Sequence, residues 1–277
     1  MFTECCFRFM PKRFMPKKII VFGNQKGGTG KSTLAMHLVV SLLQKGNTVA
    51  TIDVDARQGT FTRYIENREA TKKENPGILT PYHTPLFESE AESVSQIARE
   101  NLENFSNLVK KLESFDYIVV DTPGNDNNLS RIAHSFADVI ITPMNESFID
   151  LDLLVRINDS TETNIKPSTY AEMVWNQKKE RIMRDKGSID WIVLVNRMSS
   201  VASKNRLELD RVLSALARRI GFRLAKGFKE RVIFRELFLS GLTLLDRNVS
   251  ASQMSLSHIA ARQELNDLLK ALDIGDD

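Results

Sequence analysis

The chain has 277 residues, 42% of them hydrophobic and 26% charged, with a formal net charge of +3. That composition suits one large globular domain, and the longest apolar runs, about eight residues, are too short for a bilayer-spanning helix. The only two cysteines, Cys5 and Cys6, are adjacent, which excludes a disulfide framework and leaves no thiol for a metal or iron–sulfur site in the body of the chain.

Residues 1–16 (MFTECCFRFMPKRFMP) are basic and aromatic with two prolines. They read as a disordered extension, or as a product of an upstream start with Met10 or Met15 the true first residue. Five short runs rich in Val and Ile then read as buried parallel strands: residues 18–24, 48–55, 116–123, 137–143 and 190–197. Helical patterns lie between them. Leu34, Leu38 and Leu42 share one helix face, and residues 93–112 form a long amphipathic segment. Residues 74–92 hold three prolines and no clear period, and read as a loop. Alternating strands and helices imply an α/β fold with a doubly wound, mostly parallel sheet, whose ligands sit beyond the carboxyl ends of the strands. The expected organisation is one domain over 17–272, followed by an acidic tail at 273–277.

Directly after the first strand and before a helix stands KGGTGKST, residues 26–33. Gly27, Gly28 and Gly30 let the backbone curl so that successive N–H groups, with Thr29 between them, point inward and cradle an anion at the helix N-terminus. Lys31 can reach the β- and γ-phosphates, Ser32 can place its hydroxyl on Mg2+, and Thr33 can serve the α-phosphate. Gln25 stands where the first glycine of the usual pattern would fall. A glycine-rich turn with incidental lysines is the plain alternative, and the strand–loop–helix context argues against it.

Two acidic strand ends complete the site. Asp121 ends YIVVD and occupies a Walker B position, where a carboxylate binds Mg2+ directly or through water. Asp53 and Asp55 end the second strand as D-x-D, and a two-residue period points both to one face. Asp53 is the expected water-orienting or metal-shell carboxylate. Asp55 reads equally as a functional group or as a cap or loop residue. Asn196 ends the fifth strand, where such folds meet the base. A guanine-reading N-K-x-D would need an aspartate where Ser199 stands, so adenine is favoured.

Lys26, five residues before Lys31, is the signature lysine of the ParA/MinD superfamily of deviant Walker A ATPases, which this chain resembles. KPSTYAEMVW and RELFLSGLTLLD resemble, more narrowly, the MipZ family of division-plane regulators. The resemblance implies a P-loop ATP hydrolase working with ATP and Mg2+. It implies a homodimer that sandwiches ATP, Lys26 of each subunit reaching the other's phosphates, so that hydrolysis weakens the dimer. Lys26, Lys31 and Asp53 would be the catalytic set. It further implies non-specific DNA binding, a ParB-type centromere-binding partner, inhibition of FtsZ assembly, and a cytoplasmic, nucleoid-associated distribution weighted toward the poles. A ParA-type chromosome or plasmid partition ATPase shares the switch and differs in cargo. A metallocluster enzyme on the same fold would need cysteines near the dimer seam, and the chain has none there.

Residues 197–235 hold eleven Lys or Arg and three acids, a local net charge of +8. In the helix expected near 203–219, Leu209, Leu213, Leu216 and Ile220 share one face, with Lys204, Arg211 and Arg218 roughly opposite. Arg197, Arg206, Arg219 and Arg223 add to the region. A solvated helix surface is the ordinary reading of one such helix. The size of the excess and the family resemblance favour contacts to a phosphate backbone. Leu265, Leu268, Leu269 and Leu272 stripe a C-terminal helix, but residues 258–277 hold five acids against two basic residues. A membrane-surface helix should be basic, so packing on the sheet is expected and no membrane contact.

Overall fold

The structure is a computed structural model and describes residues 18–55, 57–157, 165–198, 204–246 and 256–272. The expected extension at 1–16 and the acidic tail at 273–277 lie outside the described residues. From the N-terminus the elements are β1 (Lys18–Phe22), α1 (Lys31–Gln44), β2 (Val49–Asp53), α2 (Thr60–Glu74), β3 (Tyr82–Pro85), α3 (Val94–Lys111) and β4 (Tyr117–Asp121). There follow α4 (Asn128–Phe136), β5 (Val139–Asn145), a 3-10 turn (Phe148–Leu153), β6 (Val155–Ile157), β7 (Ile165–Pro167) and α5 (Thr169–Asp185). The chain ends with β8 (Asp190–Asn196), α6 (Lys204–Ile220), β9 (Arg223–Lys226), α7 (Ile233–Leu239) and α8 (Leu256–Leu272).

Seven strands pair in parallel in the order β3-β2-β4-β1-β5-β8-β9, while β6 and β7 form a small antiparallel pair. The five apolar runs read from the sequence are the five central strands. Their side chains are buried on both faces because each face carries a helical layer. One core joins the sheet to α3, α4, α5 and α6; the other joins it to α1, α2, α7 and α8. Leu34, Leu38 and Leu42 of α1 are each at most 2% exposed, and full burial of such a side chain stabilises by about 1.5–3 kcal/mol. The long helix begins where expected, because the Ser93 side chain caps α3 by accepting from the Gln96 amide.

The two edge strands correct the sequence reading. β3 lies inside the stretch expected to be a loop. It is four residues long, contains a proline and is largely exposed, so it carries none of the apolar signal of a buried strand. β9 lies inside the basic segment and has one buried residue, Ala225. Leu265, Leu268, Leu269 and Leu272 of α8 are buried against the sheet layer. Among the described residues no helix is long and apolar enough to cross a membrane.

Candidate nucleotide site

The carboxyl ends of β1, β2, β4 and β8 converge on the loop that precedes α1. Gly28 and Gly30 have φ of 72° and 88°, the left-handed region that glycine enters without cost. A Cβ on Gly30 would also lie 2.4 Å from Asn196 Nδ2. Gly124, in the turn after β4, approaches so closely that a Cβ there would meet the Gly27 nitrogen at 2.9 Å. The two glycine turns therefore pack backbone to backbone. Between them opens a cavity of about 270 Å³, lined by Gly27 to Thr33, Asp55, Gln58, Asp121 and Arg197 among others.

Lys31 is buried, and its Nζ donates to the carbonyl oxygens of Lys26 at 3.0 Å and Asn24 at 3.3 Å. Burial pulls its pKa down, against the pull of Asp121 and Asp55. Ser32 Oγ donates to Asp121 Oδ2 at 2.6 Å. Asp121 Oδ1 and Thr29 Oγ1 are buried with no hydrogen-bond partner. Burial pushes the Asp121 carboxyl up to about 7; the Ser32 bond opposes this and Asp53 adds to it. Orphaned buried oxygens are costly, and a cation-and-phosphate ligand would satisfy both. Ser32 and Asp121 offer oxygen donors alone, which suits Mg2+.

The two aspartates of D-x-D part company. β2 ends at Asp53, so the two-residue period does not carry on to Asp55. Asp53 is fully buried and both its oxygens are engaged: Oδ1 accepts the Asp55 amide at 2.9 Å, and Oδ2 accepts the Thr62 amide and hydroxyl at 2.9 and 2.8 Å. The carboxylate expected to serve catalysis and metal binding thus faces the start of α2, and Asp53 is not among the residues that line the cavity. Asp55 does line it, and it also lines a neighbouring cavity of about 250 Å³. Burial, with the charge of Asp53, raises the Asp55 carboxyl to about 6.

Lys26 behaves differently from Lys31. Its Nζ leaves its own cradle and donates to Asp150 Oδ1 at 3.0 Å and to the Ile149 carbonyl at 2.9 Å, both on the 3-10 turn. Nothing in the local sequence marks Asp150, because it lies 124 residues away. Asn196 holds the loop by donating to the Thr29 carbonyl at 2.8 Å and accepting from the Phe228 amide at 2.9 Å. It also lines, with Thr33, Arg197, Phe228 and Phe234, an adjoining cavity of about 390 Å³. Its amide thus braces the loop from within. Phe228 and Phe234 stack at 4.7 Å and give that cavity an apolar wall, which sequence reading missed. His37 and His134 are buried core histidines, each bonded through Nδ1 to a carbonyl of its own helix.

Among the described residues the basic candidates differ in surroundings. Arg197 lines the cavities of the nucleotide site. Arg206 pairs with Glu146 at 3.2 Å, and Arg223 pairs with Asp190 at 2.6 Å and donates to the Ala271 carbonyl. Arg211, Arg218 and Arg219 are exposed on α6, and the first two flank a shallow cleft with Leu207 and Ser214. The Lys204 side chain lies outside the described residues. The local charge excess is further reduced by Glu264, which takes both Arg231 and Lys229.

The family model for the ATPase MipZ matches residues 18–276. The chain is 27% identical over 169 residues to the chromosome partitioning protein ParA of Caulobacter vibrioides, covering 53% of this chain and 63% of the relative. It is 26% identical over 197 residues to the septum site-determining protein MinD of Bacillus subtilis, covering 65% and 72%. Several of the curated relatives are thus matched over only about half to two thirds of their own length. Among solved structures, the fold is similar to a plasmid partition protein of Borrelia burgdorferi B31 bound to AMPPNP, with TM-score 0.57, 19% identity and coverage of 92% and 98%. It is likewise similar to MinD of Pyrococcus horikoshii complexed with Mg-ADP, with TM-score 0.54, 16% identity and coverage of 93% and 96%. With a parallel seven-stranded sheet, a glycine cradle at its switch point and a family model covering nearly all of the described chain, the protein belongs to the MipZ family of ATPases.

Proposed function

We propose that the chain is an ATP-dependent monomer–dimer switch that binds DNA non-specifically and regulates the placement of cell division. The observation that carries this reading is the position of Lys26. An amine serving its own phosphates would point inward like Lys31. Lys26 is instead held at the rim by Asp150 and is about one-third exposed, with its side chain 34% accessible. From there it is placed to exchange the Asp150 carboxylate for the phosphates of a facing subunit. Shared nucleotide would then hold two copies together, because a ligand bound only by the dimer stabilises the dimer.

Within each subunit Lys31 and the loop N–H groups bind the phosphates, and the stacked Phe228 and Phe234 wall supports the base. Ser32 and Asp121 would hold Mg2+, which neutralises charge on the phosphate oxygens. Asp55, rather than Asp53, orients the attacking water. A carboxylate at the cavity wall with its pKa raised to about 6 can still accept a proton near neutral pH. The partners proposed are a ParB-type protein and FtsZ, with slow hydrolysis resetting the switch.

Size-exclusion chromatography with ATP and with ADP tests the switch. Asp55→Ala should bind ATP, hydrolyse poorly and elute as a dimer with ATP alone. Lys26→Ala should stay monomeric with either nucleotide; a Lys26→Ala dimer would remove the basis of the proposal. A curated relative is a chromosome partitioning protein, so partition is the second reading. ATP-loaded protein added to polymerising FtsZ separates the two: a division regulator shortens the filaments and a partition ATPase leaves them intact.

A further inference from the structure

A continuous polar chain runs from the edge of the sheet to the phosphate cavity. In register, Thr51 of β2 stands opposite His83 of the edge strand β3. Thr51 Oγ1 lies 2.9 Å from His83 Nδ1, and His83 Nε2 lies 3.1 Å from Thr62 Oγ1 on the first turn of α2. The Thr62 hydroxyl donates to Asp53 Oδ2 at 2.8 Å, and Asp53 Oδ1 accepts the Asp55 amide at 2.9 Å. Asp53 also accepts the Thr62 amide, so one buried carboxylate ties the end of β2 to the start of α2 across the loop that carries Asp55.

From His83 inward the direction of the chain is fixed by hydrogen count. Thr62 has one hydroxyl hydrogen, and Asp53 Oδ2 takes it. His83 Nε2 must then carry a hydrogen and donate to Thr62 Oγ1. Neutral His83 is left with a bare Nδ1 facing the Thr51 hydroxyl, whose single hydrogen is shared between that nitrogen at 2.9 Å and the Tyr82 carbonyl at 3.2 Å. Burial lowers the His83 pKa, in keeping with a neutral ring. His83 therefore donates to Thr62 and Thr62 to Asp53, which accepts from both Thr62 and the Asp55 amide, and none of the three lines the phosphate cavity.

We infer that Thr62 and His83 are positioning residues for hydrolysis, holding Asp53 so that Asp53 holds the Asp55 backbone at the wall of the phosphate cavity. This rests on the reading of Asp55 as the water-orienting group. A misplaced Asp55 would still leave Lys31 and the glycine loop to bind nucleotide, so the effect falls on turnover and not on affinity. Removing a supporting hydrogen bond behind an active group lowers activity by about 10-fold or more.

Phosphate release at saturating ATP, with KM and ATP affinity measured in parallel, tests this. Thr62→Val keeps the shape and removes the hydroxyl. It should lower kcat by about 10-fold with KM and affinity unchanged, while Thr62→Ser restores most of the rate. His83→Leu should lower kcat and His83→Gln, which keeps a donor at the same reach, should recover it; this pair stands if Thr62→Val folds poorly. In an Asp55→Asn background Thr62→Val should cost nothing further, because residues acting through one group are not additive. Wild-type turnover in both Thr62→Val and His83→Leu, beside an inactive Asp55→Asn, overturns the positioning role and leaves Asp55 standing. Parallel losses of affinity and turnover also overturn it, since they mark a merely structural role. Wild-type turnover in Asp55→Asn overturns the underlying reading itself.

Discussion

Two buried charge clusters in this molecule are built on opposite principles. Around Arg68 every polar group is answered. The guanidinium is 0% exposed, grips Asp246 with two bonds of 2.7 and 2.8 Å, and donates to the carbonyls of Leu79 and Gly241. Thr243 gives Asp246 two further bonds. Burial alone would raise the Asp246 carboxyl, but the Arg68 and Thr243 contacts outweigh it and hold the pKa below the usual range. Around Lys31 the account does not close. Asp121 keeps an orphan oxygen and a pKa raised to about 7, and Lys31 is pushed the other way. A satisfied cluster fastens α2 to the segment after α7. An unsatisfied one stores cost that a charged ligand can remove.

The largest effect expected from that contrast is on folding. Arg68→Met strands Asp246 without a partner and should destabilise by about 3–5 kcal/mol, as for other broken buried pairs. Replacing both, with Asp246→Leu, should recover much of the loss. Urea unfolding of the two variants checks this; a single variant as stable as wild type would mean that the pair contributes little and water reaches Asp246.

The cradle should respond with the opposite sign. Asp121→Asn removes a carboxylate whose folded pKa is raised, so the wild type loses stability as pH climbs from its unfolded value toward about 7. Without nucleotide or Mg2+ the variant should therefore be more stable at pH 8, by about 1–2 kcal/mol, with the gain vanishing near pH 4. Loop relaxation and entering water keep the figure below the full value of the shift. Thermal melts at the two pH values decide it, and equal melting temperatures at pH 8 would show that Asp121 is not strained in the free protein.

How legible was this in the sequence? The cradle was, because glycines, lysine, serine and the flanking strand are contiguous and their chemistry is local. The central strands were, because burial on both faces leaves an apolar run. What escaped were features set by distant partners. D-x-D looked like two residues on one face, but β2 stops at Asp53 and the chain turns before Asp55. β3 had no apolar signature, yet it supplies His83 to the network beside Asp53. The charge count over 197–235 treated as free several arginines that Glu146, Asp190 and Glu264 neutralise from far along the chain.

That last point yields the smallest expected change in folding and the sharpest test of the DNA surface. Arg211 is 80% exposed and its partner Glu208, at 3.5 Å, is exposed as well, so the pair adds little to stability. Arg218 is exposed on the same helix. Arg211→Gln with Arg218→Gln should leave unfolding within about 0.5 kcal/mol of wild type. If the α6 surface carries duplex DNA, the slope of log affinity against log salt should flatten by about 0.9 for each phosphate that is no longer neutralised. Arg223→Gln is the matched control, because Arg223 is already engaged by Asp190 and the Ala271 carbonyl. Its removal should leave the salt slope alone. Were Arg223→Gln to flatten the slope and the α6 pair not, exposure would be the wrong guide, and DNA would have to displace an existing ion pair to bind.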